Sequence, residues 1–361
     1  MRVLMVGVDE NTVGGMLTVV QNYQKASDFC DSTHLEYIAT ATRAGAWGKI
    51  KKMLLGFARI AFTIRKHDID IVHVHMSERG SVFREGFVVL LANTLGSKTI
   101  IHMHGAEIET WYKNQWPLVR KLIRYIFCSA DRMLILGTKW RPFISEVMQG
   151  QTQKIKVLRN AVHVESSNMA CASATDILFY GALIKRKGVD DLLQAFAAIK
   201  DEIPTMNLRL YGDDQDYRPI EKISEFGLEG RASYGGWVTP DNREQVFANT
   251  LVNVLPSYNE GLPMTILESM GYGIPNISTN IAAIPEAVDD GVNGFLVRPG
   301  DVEALKQRLL KLCTDKELWQ QFSNNAHTKA YDFFSLDSHI KRLLSIYDEL
   351  LADHSHDEKG F

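Results

Sequence analysis

Eight short apolar runs punctuate the chain at Val3–Val8, Ile69–Val74, Thr99–Met103, Met133–Leu136, Ile177–Tyr180, Leu208–Tyr211, Leu251–Leu255 and Pro275–Ser278. Longer stretches with apolar residues at helical spacing separate many of them. That alternation of strand and helix predicts parallel, doubly wound sheets with helices on both faces. A length of 361 residues is too great for one typical core and suits two of about 150–200 residues each. In such sheets ligands bind at the carboxyl ends of the strands, so the loops there are expected to carry the chemistry.

Several classes are disfavoured at once. The first apolar run is followed immediately by Asp9 and Glu10, which fits a first parallel strand better than a signal peptide. No segment approaches the roughly 20 apolar residues of a membrane-spanning helix. Cys30, Cys128, Cys171 and Cys313 lie far apart with no C-x-x-C pair, so neither a disulfide framework nor a zinc pattern is expected. The expectation is a cytoplasmic enzyme with reduced thiols and no nucleic-acid partner.

The most informative chemistry lies in residues 257–271, SYNEGLPMTILESMG, which set Glu260 and Glu268 around a helix start. Leu251–Leu255 reads as a buried strand, and Pro263 suits the first turn of the helix that follows, where its missing N–H is not needed. The N–H groups of Leu262, Met264 and Thr265 would then be unpaired and available to an anion, and Gly261 would let the backbone come close to it. Carboxylates beside an anion site make sense if the ligand carries hydroxyls as well as phosphates. A nucleotide sugar has both. The same spacing would arise in an ordinary helix, where a Glu near the start contributes only about 0.3–1 kcal/mol.

The longer stretch PSYNEGLPMTILESMGYGIPNISTNIAAIPEAVDDGVNGFLVRPGD, residues 256–301, resembles the donor-site signature of glycosyltransferase family 4, retaining enzymes of the GT-B fold. FYGALIKRKGVDDLLQAF, residues 179–196, resembles the first strand and helix of the family's donor domain, and RNAV, residues 159–162, resembles the linker into it. The resemblance covers essentially the whole chain and is weakest over residues 20–65. It implies two Rossmann-like domains facing a central cleft: an acceptor domain at 1–162 and a donor domain at 163–334. A C-terminal helix at about 335–352 would cross back to the first domain, leaving a disordered tail at 353–361.

By this resemblance Glu268 would hold the ribose hydroxyls and Glu260 the sugar hydroxyls. Lys187 and the helix start at Thr265 would hold the diphosphate. A compact ammonium there would stabilise charge that grows as the nucleotide departs. Many relatives carry a Gly-Arg pair where this chain has Gly181-Ala182. Arg186 or Lys185 would replace that arginine, Arg186 being preferred, or one phosphate contact is absent. Gly212, Trp237 and Val238 fall where the nucleoside pocket is expected, although Trp237 would serve equally well in packing. Gly15 belongs to the family's glycine loop; on its own the Gly14–Gly15 pair signals only a tight turn.

Two H-x-H pairs, His73/His75 and His102/His104, fall near the ends of two expected strands, each pair on one face. His104, just before Gly105, best matches the histidine implied to contact the donor sugar, with His102 as the fallback. Four imidazoles could suggest a metal site, but no carboxylate motif or C-x-x-C completes a ligand set, so no metal is expected. The implied reaction needs none: a sugar passes from a nucleotide diphosphate such as a UDP- or GDP-sugar to an acceptor hydroxyl with retention, and no protein nucleophile takes part.

Charge is distributed unevenly. Residues 1–160 hold 22 Lys and Arg against 13 Asp and Glu, and the remainder holds 18 against 30. Within the basic half, residues 49–66 place Ile50, Met53, Leu54, Phe57, Ala61 and Ile64 at helical spacing with Lys52, Arg59 and Lys66 on another stripe. Residues 111–132 repeat the design with Trp111, Tyr112, Trp116, Arg120, Lys121 and Arg124. Both suit peripheral contact with an anionic membrane at the inner face of the cytoplasmic membrane, and both also suit ordinary amphipathic core helices. A lipid-linked or oligosaccharide acceptor for surface polysaccharide would follow by analogy. Two other classes compete: a noncatalytic nucleotide-sugar-binding or membrane scaffold protein, favoured by Ala182, and a glycoside hydrolase using the two glutamates as acid and nucleophile.

Overall fold

The structure, a computed structural model, describes residues 1–9, 15–42, 45–214 and 216–357. The chain divides into two compact units, residues 1–160 with 337–361, and residues 161–336.

In the first unit the strands are β1 (Val3–Val8), β2 (Glu36–Ala41), β3 (Ile71–Met76), β4 (Lys98–Met103), β5 (Arg132–Ile135) and β6 (Ile155–Val157). They form one sheet in the order β2-β1-β3-β4-β5-β6, every pair parallel. The second unit contains β7 (Asp176–Tyr180), β8 (Asn207–Tyr211), β9 (Ala232–Tyr234), β10 (Thr250–Leu255), β11 (Asn276–Thr279) and β12 (Gly294–Val297). Its order is β12-β11-β10-β7-β8-β9, again parallel throughout. All eight expected strands are present, shifted by up to two residues. Four were not anticipated: β2, β6, β9 and β12. The last three are only three or four residues long, too short to show a periodicity.

Central strands are buried on both faces, which is why they read as nearly continuous apolar runs. All six residues of β3 are buried. Its alternation sends Val72, Val74 and Met76 into the hydrophobic core beneath one face and leaves His73 and His75 on the other.

The C-terminal helix, Leu336–Asp357, runs beyond the expected end near 352, and residues 358–361 lie outside the described residues. It belongs to the first unit from Asp337 onward. Tyr347 on this helix packs its ring 6.4 Å from that of Phe29 and 5.9 Å from the imidazole of His73.

Candidate active site

Where neighbouring strands in a parallel sheet lead their connections in opposite directions, the crevice at their carboxyl ends is left open for a ligand. In the second unit that switch falls between β7 and β10, which are adjacent in the sheet. The loops leaving these strands are 181–188 and 256–263. They carry Lys187 and Glu260.

Backbone geometry brings the two loops together. After the short 3-10 turn Lys185–Lys187, Gly188 takes φ +70°, a conformation glycine adopts without steric cost. A Cβ at that position would collide with the carbonyl oxygen of Pro256. The Tyr258 N–H then donates to the Arg186 carbonyl at 2.8 Å, and the Arg186 guanidinium donates to the Asn259 carbonyl, also at 2.8 Å. Beside these bonds the Lys187 ammonium pairs with the Glu260 carboxylate. The Ser257 hydroxyl donates to the same carboxylate oxygen at 2.7 Å.

Arg186 therefore lies against the motif loop, where it could replace the cation absent at Ala182. Lys187 and Glu260, assigned separate duties from the sequence, are partners in this structure.

The helix that follows spans Met264–Gly271 with Pro263 extended at its N-cap, one position ahead of the expected first turn. No acidic residue occupies the first turn, so no carboxylate on the helix itself competes for the N–H groups there. The Thr265 hydroxyl oxygen is buried without a hydrogen-bond partner among the described residues. Leu262 and Met264 are buried, and the carbonyl of Gly261 accepts from Ala283 N–H at 3.3 Å.

Glu268 lies not beside the helix start but in the second half of the helix. Its carboxylate accepts from Arg243 at 2.6 Å. Burial pushes the carboxyl up to about 7 against the opposing pull of Arg243. Arg243 also bonds the Tyr180 phenol, whose own titration burial pushes up to about 12. Sequence reasoning missed Arg243 and Tyr180. Arg243 carries no local motif, and only packing of its helix, Pro240–Ala248, delivers it to Glu268. Each glutamate thus holds its own cation, which is not the arrangement of an acid and nucleophile flanking one bond.

The expected nucleoside side is built by the ends of β8 and β9. Gly212 has φ +145°, and a Cβ there would collide with the Gly181 carbonyl. Its N–H donates to Gly236 O at 2.7 Å, while its carbonyl accepts from the Tyr234 phenol at 2.8 Å. Gly212 therefore acts first as the point where two strand ends touch. Trp237 is 39% exposed and meets the ring of Tyr180 edge-on at 6.4 Å. The Val238 side chain is committed to a small core with Leu178, Tyr180, Val246, Phe247 and Ile274. A cavity of about 350 Å³ nearby is lined partly by Asp176 and Thr250 at the amino ends of their strands and by none of Lys187, Glu260 or Glu268. It is not the switch-point site.

In the first unit Gly15 is the exposed first residue of the helix Gly15–Lys25, and Gly14 lies outside the described residues. His104 follows β4, with its N–H bonded to Met76 O at 2.7 Å. His75 Nδ1 and His104 Nε2 are 3.0 Å apart. The imidazoles of His73, His75, His102 and His104 form a single packed group, partly stacked and partly tilted, with neighbouring centroids 4.2–5.4 Å apart. Burial holds His104 down to about 3, so the ring is neutral at physiological pH.

Residues 172–329 match the family model described as glycosyl transferases group 1. The second unit is a group 1 glycosyltransferase domain. This glycosyltransferase is 25% identical over 357 residues to an uncharacterized 41.2 kDa protein of the cps region of Klebsiella pneumoniae, an alignment covering 90% of this chain and 96% of the relative. It is 23% identical over 343 residues to the Escherichia coli UDP-Gal:alpha-D-GlcNAc-diphosphoundecaprenol alpha-1,3-galactosyltransferase, covering 90% and 86% of the two chains. The solved structure of Anabaena HepE in complex with UDP-glucose superposes with a TM-score of 0.74 at 16% identity, covering 97% of this chain and all of the other. That likeness establishes the GT-B fold for the glycosyltransferase.

Proposed function

We propose that the enzyme moves a sugar from a uridine diphosphate sugar to a hydroxyl of a lipid-linked saccharide, with retention at the anomeric carbon, in the assembly of a surface polysaccharide. The observation that carries this reading is the Lys187–Glu260 pair at the β7/β10 switch point. An ammonium ready for phosphate is held beside a carboxylate ready for sugar hydroxyls.

On donor binding the Lys187 ammonium turns from Glu260 to the diphosphate, and Glu260 accepts hydroxyls of the sugar. Arg186 and the N–H groups at the start of Met264–Gly271 add to the phosphate contacts, and Glu268, held by Arg243, accepts the ribose hydroxyls. Trp237 and the backbone at Val238 face the base, and the exposed Gly15 supplies close backbone approach. In the reaction the bond from anomeric carbon to phosphate oxygen breaks as the acceptor oxygen bonds that carbon on the same face. The acceptor proton passes to the departing phosphate oxygen. Lys187 stabilises the charge that grows there, a preorganised electrostatic contribution. His104 contacts the donor sugar: with Nε2 accepting from His75, its Nδ1–H is left to donate. No metal ion is assigned to the diphosphate.

Support for the donor and acceptor classes comes from the E. coli relative's name and from the UDP-glucose bound by HepE. The cps-region relative supports the surface-polysaccharide setting.

A peripheral contact with anionic membrane fits the surface of the first unit. The helices Ala46–His67 and Pro117–Ser129 both pack against Gly80–Thr94. Trp47, Leu54, Leu55 and Phe62 are exposed on the first, Phe87 on the middle helix, and Leu118 and Tyr125 on the last, with Trp116 just before it. A cavity of about 640 Å³ lined by Arg120, Lys121 and Arg124 lies on the same helix. Some expected contacts drop out: Ile64 and Tyr112 are buried, Trp111 packs against the core, and Arg132 begins β5. No described helix is long and apolar enough to cross a membrane.

The test is to incubate the protein with UDP- and GDP-sugars, with and without vesicles carrying a polyprenyl-diphosphate saccharide. Sugar transfer from one UDP-sugar to the lipid, with the anomeric configuration kept, is expected. Donor binding without transfer to any lipid-linked acceptor would overturn the reading.

A further inference from the structure

The proposed transfer chemistry uses His104 and leaves the other imidazoles of the first unit without a task. His75 and His102 face each other as register partners on β3 and β4. His73 Nε2 lies 3.3 Å from His102 Nδ1, and His73 Nδ1 lies 2.6 Å from the Tyr347 phenol. Every Nδ1 of His73, His75 and His102 is thus engaged. The Nε2 atoms of His75 and His102 are buried and have no hydrogen-bond partner among the described residues.

A buried imidazole nitrogen without a partner is costly whether it carries a proton or a lone pair, because the hydrogen bond it made to water is not replaced. Two on directly paired residues call for a common explanation. The same helix and strand ends show what a self-sufficient histidine looks like. His339 Nδ1 lies 2.8 Å from the Arg159 carbonyl and Nε2 lies 2.5 Å from the Tyr23 phenol, so both nitrogens are satisfied.

From these contacts we infer that His75, His102 and His73 form a binding site for one divalent transition-metal ion that takes imidazole ligands, such as Zn²⁺. Each of the three offers a ring nitrogen, and these nitrogens lie within 4.8 Å of one another. Histidines that bind metals donate their second ring N–H to a nearby acceptor, which fixes tautomer and ring orientation. In His75 and His73 that second N–H lies on Nδ1, against His104 and the Tyr347 phenol, and His73 Nε2 would exchange its contact with His102 Nδ1 for the ion, joining the orphaned Nε2 atoms of His75 and His102 as ligands. Imidazole suits Zn, Cu, Fe and Ni better than the hard cations. The expectation from sequence that no ligand set exists rested on the lack of a carboxylate or C-x-x-C motif; pairing of β3 with β4 assembles the ligands instead. Bound metal would also fix His104 through His75.

Metal binding here is tested without glycosyl transfer. Untagged protein carrying His354→Asn and His356→Asn, which removes the imidazoles near the C-terminus, is stripped with chelator and titrated with Zn²⁺ and Co²⁺. About one equivalent retained through gel filtration, a raised melting temperature and visible Co²⁺ absorbance are expected. His75→Phe and His102→Phe should each abolish retention, whereas His163→Gln, at an exposed site in the second unit, should not. Because the two Phe variants could fail to fold, imidazole ¹⁵N spectra of the stripped parent protein provide a second readout. Zn²⁺ should shift Nε2 of His75 and His102 while their Nδ1 atoms stay protonated. No retained metal, or retention unchanged in folded Phe variants, or unshifted imidazole resonances, would overturn the site and leave ordered water as the partner of the two nitrogens.

Discussion

Lys187 and Glu260, separated by 73 positions in the chain, form an ion pair in which the side chains are only 14% and 7% exposed. The pair joins the loop after β7 to the loop after β10. It keeps a cation and an anion ready where neither is neutralised by water. A ligand that brings phosphates and hydroxyls together could take both partners at once.

Lys187→Ala should lower transfer at least tenfold, equivalent to about 1.4 kcal/mol of barrier. It should also destabilise the fold, since removing one partner of a buried pair typically costs about 3–5 kcal/mol by leaving the other charge uncompensated. The double variant Lys187→Met/Glu260→Gln should regain stability without regaining activity. Denaturant unfolding alongside initial rates checks this, and a stable but inactive Lys187→Ala would show that Glu260 finds another partner.

The proposed ribose contact would make donor affinity depend on pH through Glu268. Its folded-state value is raised from the usual 4.5 to about 7 by burial, so its stabilising contribution is complete below 4.5 and is lost as pH rises through about 7. Donor binding runs the other way, because ribose hydroxyls need the ionised carboxylate as acceptor. UDP affinity should weaken as pH falls through about 7 in the parent and stay flat in Glu268→Gln. Arg243 lowers the carboxyl, so Arg243→Ala should move the midpoint of the profile upward. Calorimetric titration of UDP across pH reads both.

Gly188→Ala and Gly212→Ala should each cost more than about 1 kcal/mol, since alanine at positive φ is strained and each new Cβ meets a backbone carbonyl. Gly227 provides the comparison: φ is +62° but nothing lies within 4 Å of a Cβ there. Its alanine variant should lose clearly less. Equal losses at the three positions in thermal unfolding would mean that the loop contacts contribute nothing.

Replacing Arg120, Lys121 and Arg124 by Ser should weaken binding to anionic vesicles by about 3 kcal/mol, roughly a hundredfold, at about 1 kcal/mol per basic residue. Trp116→Ser should weaken it further. High salt should reduce the charge contribution and spare the tryptophan's. Vesicle sedimentation measures each, and binding insensitive to all four residues would place the contact elsewhere.

Much of this was legible in the chain. The apolar runs gave eight strands because a central parallel strand must be apolar on both faces, and β10 kept that signal up to Pro256. The short strands β6, β9 and β12 owe their state to pairing with neighbours, and no local pattern announces that. The spacing of Glu260 and Glu268 put the first in a loop and the second in a helix, as the structure has them. It could not show that Glu268 turns toward Arg243, because the two lie on different helices and meet only through packing. Likewise Ile50 and Leu54 share a stripe with Ile64, yet only Ile64 is buried: periodicity defines a face, and the neighbouring helix decides how much of that face is covered.

The amino-acid sequence by itself determined the doubly wound architecture and the glycosyltransferase motif of the second unit, because each is written in local spacing and residue type. The tertiary structure alone decided which charges pair. Lys187 with Glu260, Arg243 with Glu268, and His75 beside His102 are set by strand order and helix packing between distant segments, and burial there raises the Glu268 carboxyl and lowers the two imidazoles.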